Sequence, residues 1–283
     1  MLAIPGVTIP EVVVSLVGHC ENLKSRFAVL DMPKEMYKTK DLLQYREMID
    51  STYAAMYHPW IQVFDRSSNQ PGLIPPSGAV MGVYSRTDIN RGVHKAPANE
   101  TVFCTGLGVN YTKAEQDILN PAGITLIRAL PGQGIRVWGA RTASSNSNFK
   151  YVNVRRLFIF VEESIKANTN WVVFEPNSAA LWSRVTRTIE AFLATCWRDG
   201  ALAGSTPSEA FFVECGPTTM TQDDIDKVLD KVNEAVSKGD SVVKIYPSDS
   251  MQIEISVPEE DLTELKEGQA VDIEFYWDID ETK

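Results

Sequence analysis

Apolar residues at helical spacing alternate with short apolar runs from the start of this chain to Cys215, and that alternation constrains its fold more than any other feature. In "IPEVVVSLVGHCENLKSRFAVLDMP", Val13, Leu16 and Val17 sit at helical offsets over residues 10–22. An apolar run at 26–30 follows, closed by Asp31 and Pro33. The next stretch, "KTKDLLQYREMIDSTYAAMYHPWIQVFD", places Leu42, Leu43, Met48, Ile49, Tyr53 and Met56 on one helical stripe. Pro59 breaks it, and "WIQVFD" reads as the following strand. "RSSNQPGLIPPSG" has the composition of a connection.

The pattern continues. A helix is expected from near Ser77 despite Gly82, and another in "TKAEQDILN", where Thr112 and Glu115 have capping-box spacing. "AGITLIRAL" and "QGIRVWGART" read as strands joined across Pro131 and Gly132. "KYVNVRRLFIFVEESIKANTN" follows as a long amphipathic helix with Val154, Leu157, Phe158, Val161 and Ile165 on its buried stripe. "SAALWSRVTRTIEAFLATCWRDGAL" gives a second long helix, and "SEAFFVECG" a strand. The expected fold class is α/β, a mixed sheet layered with helices on its faces, carrying a small β-rich C-terminal appendage.

Past Pro217 the texture changes. Residues 1–220 form the expected α/β core, 221–240 a charged helical connector, and 241–283 a small β-rich acidic segment. Strands are expected around 242–246, 251–257 and 270–276, with a short helix at 259–266. The charge follows the same division. Residues 1–220 hold 21 basic against 19 acidic side chains, a net of +2, whereas 221–283 hold 6 against 18, a net of −12. Such asymmetry suggests units of different role, and the absence of a concentrated basic patch argues against nucleic acid as a partner.

No apolar run approaches the roughly 20 residues that cross a bilayer, so membrane insertion is not expected. The start of the chain shows no signal-like stretch. Cys20, Cys104, Cys196 and Cys215 form no CxxC pair, which points to reduced thiols without a zinc site or disulfide framework. His19 and Cys20, adjacent on a helix, point about 100° apart, and no third catalytic group is identifiable. His58 has no metal-ligand spacing to the other histidines. "GLGVN" and "PGQGIRVWGA" lack the phosphate-loop pattern. No catalytic residue, metal or cofactor is therefore expected. Glu162, Glu163 and Lys166 read as a solvated face, and Trp138, Trp171, Trp182 and Trp197 as core.

Five blocks carry a family resemblance: "PPSGAVMGVYSRTDINRGVHKAPANE", "GITLIRALPGQGIRVWGARTAS", "KYVNVRRLFIFVEESI", "VFEPNSAALW" and "AFFVECG". Together they resemble the tail sheath proteins of contractile phage tails and related injection particles, over about residues 1–226. The resemblance implies a structural subunit, not an enzyme. Its partners would be other sheath subunits, an inner tail tube protein and a baseplate, with contraction around the tube as its action. It also implies a place in the virion tail and assembly in the bacterial cytoplasm.

Family members knit their lattice by N- and C-terminal strand-exchange arms, and this sequence departs from them there. An arm-less chain is expected to be monomeric or weakly associated. The segment "MQIEISVPEEDLTELKEGQAVDIEF" resembles instead the β-barrel region of periplasmic adaptor (membrane fusion) proteins, through Val257, Glu259, Asp261, Leu262, Leu265, Gly268, Gln269 and Val271. It leaves an adaptor-like binding module, or an artificial or misassembled fusion, as the alternative reading.

Basic side chains supply the candidate interface. "RTDINRGVHKAPAN" groups Arg86, Arg91, His94 and Lys95 in an expected exposed loop, read either as a simply solvated loop or as a contact for an acidic face of the tube or of a neighbouring subunit. Arg136 and Arg141 lie on a strand and at its exit. Arg155 and Arg156 are adjacent on a helix, so only one can face the core squarely, and the other is left for an internal salt bridge or a contact between subunits.

Overall fold

The computed structural model describes residues 1–216, Thr219, 243–247 and 253–255. The chain divides into two compact units, Met1–Ile159 and Phe160–Lys283. The observed class is the expected mixed α/β.

In the first unit, β1 (Ala28–Asp31), β2 (Ala54–His58) and β7 (Ile124–Leu130) run parallel in a five-stranded sheet of order β1-β2-β7-β8-β5, with β1 at one edge. It is completed by two antiparallel pairings, β8 (Gly134–Trp138) on β7 and the short edge strand β5 (Glu100–Thr101) on β8. A separate three-stranded antiparallel sheet holds β3 (Ile61–Asp65), β4 (Gln70–Ile74) and β6 (Gly106–Leu107).

Both faces of the central sheet are covered, as a buried parallel sheet requires. Ala28, Leu30, Ala54, Met56, Ile124 and Leu126 face one side, packed with Val13 and Val17 of α1 (Pro10–Leu23), Leu42 of α2 (Thr39–Arg46) and Leu119 of α4 (Lys113–Leu119). The alternate residues Val29, Ala55, Tyr57 and Ile127 face the other side, against Val80, Val83 and Tyr84 of α3 (Ser77–Arg91) and Val152 at the start of α5 (Val152–Thr169). Successive Cβ atoms point to opposite faces, so each strand feeds two cores.

Two elements depart from expectation. The helix over Leu42 to Met56 ends at Arg46, and Met56 lies in β2, all five residues of which are buried. A strand covered on both faces shows no polar alternation, and its two alanines and a methionine are good helix formers, so the pattern imitates a helical stripe. The connection "RSSNQPGLIPPSG" also contains β4, whose Pro71 is tolerated on an edge strand. By contrast, α4 carries the expected capping box, in which Thr112 Oγ1 accepts from Glu115 N while Thr112 N donates to Glu115 Oε2.

Asp31, 3 % exposed at the end of β1, accepts from Gly6 N, Ser77 N and Ser77 Oγ at 2.9, 2.7 and 2.7 Å. It anchors the N-terminal stretch and the first residue of α3 to the sheet. Burial pushes its pKa above the usual carboxylate value while these hydrogen bonds oppose the shift.

In the second unit, α6 (Ala179–Arg198) buries Leu181, Val185, Ile189, Leu193 and Cys196 along one stripe, and Ser178 Oγ caps it by accepting from Leu181 N. A one-turn helix, α7 (Pro207–Ala210), leads into β9 (Phe211–Glu214), which pairs antiparallel with β10 (Val243–Pro247). β10 in turn pairs with β11 (Ile253–Ile255). These two strands fall in the segment expected to be β-rich. The connector 221–240, the helix at 259–266, the strand at 270–276 and nearly all of the adaptor-like stretch lie outside the described residues.

Trp171, Trp182 and Trp197 are half-buried instead of forming core. Trp182 Nε1 donates to Asn177 Oδ1 and Trp197 Nε1 to the Gly204 carbonyl, while Arg184 stacks over Trp171 at 3.9 Å. An indole N–H needs a partner, which holds the ring near the surface. Trp138 is also half-buried.

Candidate subunit interface

The basic cluster expected in a loop is divided between two elements. Arg86 and Arg91 belong to α3, and only His94 and Lys95 lie in the connection that follows. Gly92 ends the helix at φ +88, a conformation suited to glycine, and a Cβ there would stand 2.7 Å from the His94 ring. The turn brings the chain back to edge strand β5.

Three of the cations converge on that edge. Arg86 Nη2 donates to the Thr101 carbonyl at 2.6 Å and lies 3.8 Å from Glu100 Oε2. Lys95 Nζ donates to the Ala96 carbonyl at 2.5 Å and lies 3.8 Å from Glu100 Oε1. Arg136, paired in register with Thr101, donates to the Asn99 carbonyl at 2.7 Å and the Gln133 carbonyl at 3.0 Å. Arg91 is exposed, with no ion pair among the described residues. The His94 carbonyl accepts from Asn153 Nδ2. Arg141 is apart from the group, donating to the Pro121 carbonyl at 3.3 Å.

Arg155 and Arg156 are both buried, at 8 % and 9 % exposure, so the chain accommodates the two adjacent guanidiniums by different means. Arg155 stacks 3.5 Å from the centre of the Phe149 ring and 4.3 Å from that of Tyr53, and donates to Thr52 Oγ1 and Tyr53 Oη. Arg156 forms a two-point pair with Asp88 at 2.9 and 2.5 Å and lies over Tyr84. The planar, weakly hydrated guanidinium suits both arrangements. Val154 and Leu157, expected on the buried stripe, are only partly buried.

Sequence reasoning passed over the apolar part of this surface. Ile89 is 84 % exposed and Phe103 81 %. Ile89 stands one turn along α3 from Arg86, whose guanidinium lies 5.3 Å from the centre of the Phe103 ring. The available signal was that Ile89 falls off the buried positions Val80, Val83, Tyr84 and Thr87, leaving an apolar side chain on a polar face.

Burial raises the pKa of all four thiols: Cys20 and Cys104 upward, Cys196 to about 11 and Cys215 to about 12. His19 Nε2 is engaged with Arg26 at 2.6 Å. Among the described residues no group of three or more His, Cys, Asp and Glu could hold a metal ion, and no helix is long and apolar enough to cross a membrane. The α3 and β5 region thus presents two exposed apolar side chains, Ile89 and Phe103, near the cations Arg86, Lys95 and Arg136.

The chain belongs to the phage tail sheath family. It matches the phage tail sheath protein central domain over residues 1–143 and the phage tail sheath C-terminal domain over 144–246, so the match continues past residue 226, where the likeness in sequence stops. It is 25 % identical over 218 residues to the tail sheath protein of Escherichia phage P2, covering 70 % of this chain and 53 % of that one. It is 26 % identical over 214 residues to the tail sheath protein of Salmonella phage ViI, covering 65 % and 33 %. The chain thus spans about half or less of the length of these relatives.

Among solved structures, it is similar to the sheath complex of the PVC extracellular contractile injection system in its contracted state, with a TM-score of 0.73 and 35 % identity over 86 % of this chain and 65 % of that one. It is also similar to the contracted helical sheath of the anti-feeding prophage, with a TM-score of 0.68 and 32 % identity over 88 % and 64 %.

Proposed function

We propose that this chain serves as a structural subunit of a contractile tail sheath, in a phage tail or a related injection particle, and carries no catalytic activity. The observation that supports this best is the match to two consecutive sheath domains over residues 1–246. In this reading the subunit sits in the particle's tail after assembly in the bacterial cytoplasm. It packs against other sheath subunits around an inner tube and responds to a baseplate. Contraction is then a rigid-body rearrangement between two packed states, and the energy resides in interfaces.

The site residues divide accordingly. Arg86, Lys95 and Arg136 border the face read as docking a neighbour, while Arg91, His94 and Arg141 offer separate contacts. Arg155 and Arg156 brace α3 and the start of α5 from within. Raised thiol pKa values throughout the described part fit a body without a nucleophile.

The test is co-sedimentation of the full chain with polymerised tube protein from the same source. The chain is expected to pellet with tubes and to remain in the supernatant without them. A chain that stays soluble in the presence of tubes would refute the assignment.

A further inference from the structure

We propose that the apolar pair Ile89 and Phe103, with its cationic rim, receives the acidic segment 256–283 of a second copy of this chain. The inference rests on the lattice-subunit reading above and names the partner of that same surface.

The rim has more positive charge than its own carboxylates can neutralise. Glu100 is shared by Arg86 and Lys95, each at 3.8 Å, and Asp88 is taken up by Arg156. Arg136 is satisfied by the carbonyls of Asn99 and Gln133 and has no carboxylate partner among the described residues. At the centre, Ile89 and Phe103 leave more than four fifths of their area in water. A partner for this surface must present carboxylates around apolar groups.

The chain encodes such a partner. Residues 256–283 hold 10 acidic side chains against 2 basic ones. Within them Asp272, Glu274, Asp278 and Asp280 flank Phe275, Tyr276 and Trp277. Aromatic groups opposite Ile89 and Phe103, with carboxylates opposite the arginines, give the pairing of an apolar anchor and a charged rim that defines a protein interface. Because each copy carries both surface and segment, a pair of copies can exchange two equal contacts. Long-range attraction between the two charges steers the encounter and is screened over about 10 Å at 0.1 M salt.

The experiment is sedimentation velocity of the full chain over a range of concentrations, at low and at high salt. The wild type is expected to self-associate at low salt and to dissociate as salt rises. I89S/F103S is expected to raise the dissociation constant by about tenfold or more, and so is D272N/E274Q/D278N/D280N, because each removes one side of the contact. Mixing these two variants is expected to restore association, since each supplies what the other lacks. Arg86→Glu provides a second surface variant beside the Phe103 ring and is expected to weaken association as well.

A wild type that stays monomeric at every concentration, variants that associate like the wild type, or a mixture that stays apart would each overturn the proposal. So would a monomer whose surface is covered by its own segment. Co-sedimentation with tubes in any of those cases leaves the sheath reading intact and removes only this contact.

Discussion

His58 is the side chain least at ease in the first unit. It is 0 % exposed, neither ring nitrogen has a hydrogen-bond partner among the described residues, and it lies against the Tyr111 ring at 5.5 Å between centroids. Burial pushes its pKa down to about 4. Above its ordinary value of about 6.5 the ring is neutral in both folded and unfolded chains, and pH has no effect through it. As pH falls from there to about 4, the unfolded chain takes up a proton that the folded chain refuses, so stability is lost on acidification, by on the order of 3 kcal/mol in total. Asp31 acts with the opposite sign, because its raised pKa lets the folded state hold a proton the unfolded state has released. The expected outcome is that His58→Leu loses less thermal stability than the wild type between pH 7 and pH about 4.5, by about 2 kcal/mol, in parallel melts. Equal losses would show that the ring is not the titrating cause. The sequence displayed His58 only as a histidine without ligand spacing; its burial follows from a strand covered on both faces, and the strand had been read as a helix.

At the scale of elements, what was legible in the sequence depended on whether each element had one face or two. α4 and α6 show water on one side, so the Thr112–Glu115 cap of the first and the existence of the second could be read directly, while the Ser178 cap and the stripe from Leu181 to Cys196 came from the structure. β7 and β8 were marked by the turn between them. β2 was not legible, because "AAMYH" contributes Met56 to one core and Tyr57 to the other and has no polar side to reveal its period. The candidate interface was half legible. Its charges could be counted along the sequence, but Arg86 with Arg91 on a helix, Arg136 on a strand and Phe103 beyond the edge strand meet only after the chain turns at Gly92. The Asp88–Arg156 pair makes the same point, since 68 positions separate two residues that join α3 to the first turns of α5. Removing one partner leaves a charge in a largely dry position. Asp88→Ala is expected to cost about 2–3 kcal/mol in urea unfolding, and the double variant Asp88→Ala with Arg156→Met to recover at least half of that loss. A single variant as stable as the wild type would mean that the pair contributes nothing net.

At the scale of the whole molecule, a sheath subunit and an enzyme differ in where a chain keeps its reactive groups. A nucleophilic cysteine must be exposed to substrate and held near its thiolate form by a nearby cation or base. Here the four thiols are distributed over both units, two of them buried outright, and each has its pKa raised chiefly by loss of solvent. His19 does not counteract this at Cys20, since its Nε2 is engaged with Arg26. For a thiol at about 11, roughly one molecule in ten thousand is thiolate at pH 7. All four cysteines of the native chain are therefore expected to react with iodoacetamide at neutral pH more slowly than a free thiol, and all four to react promptly once the chain is unfolded in urea. Mass spectrometry of quenched samples reads both rates site by site. Rapid labelling of any one cysteine in the native chain would place an activated thiol where the fold predicts an inert one, and would reopen an enzymatic reading of the chain.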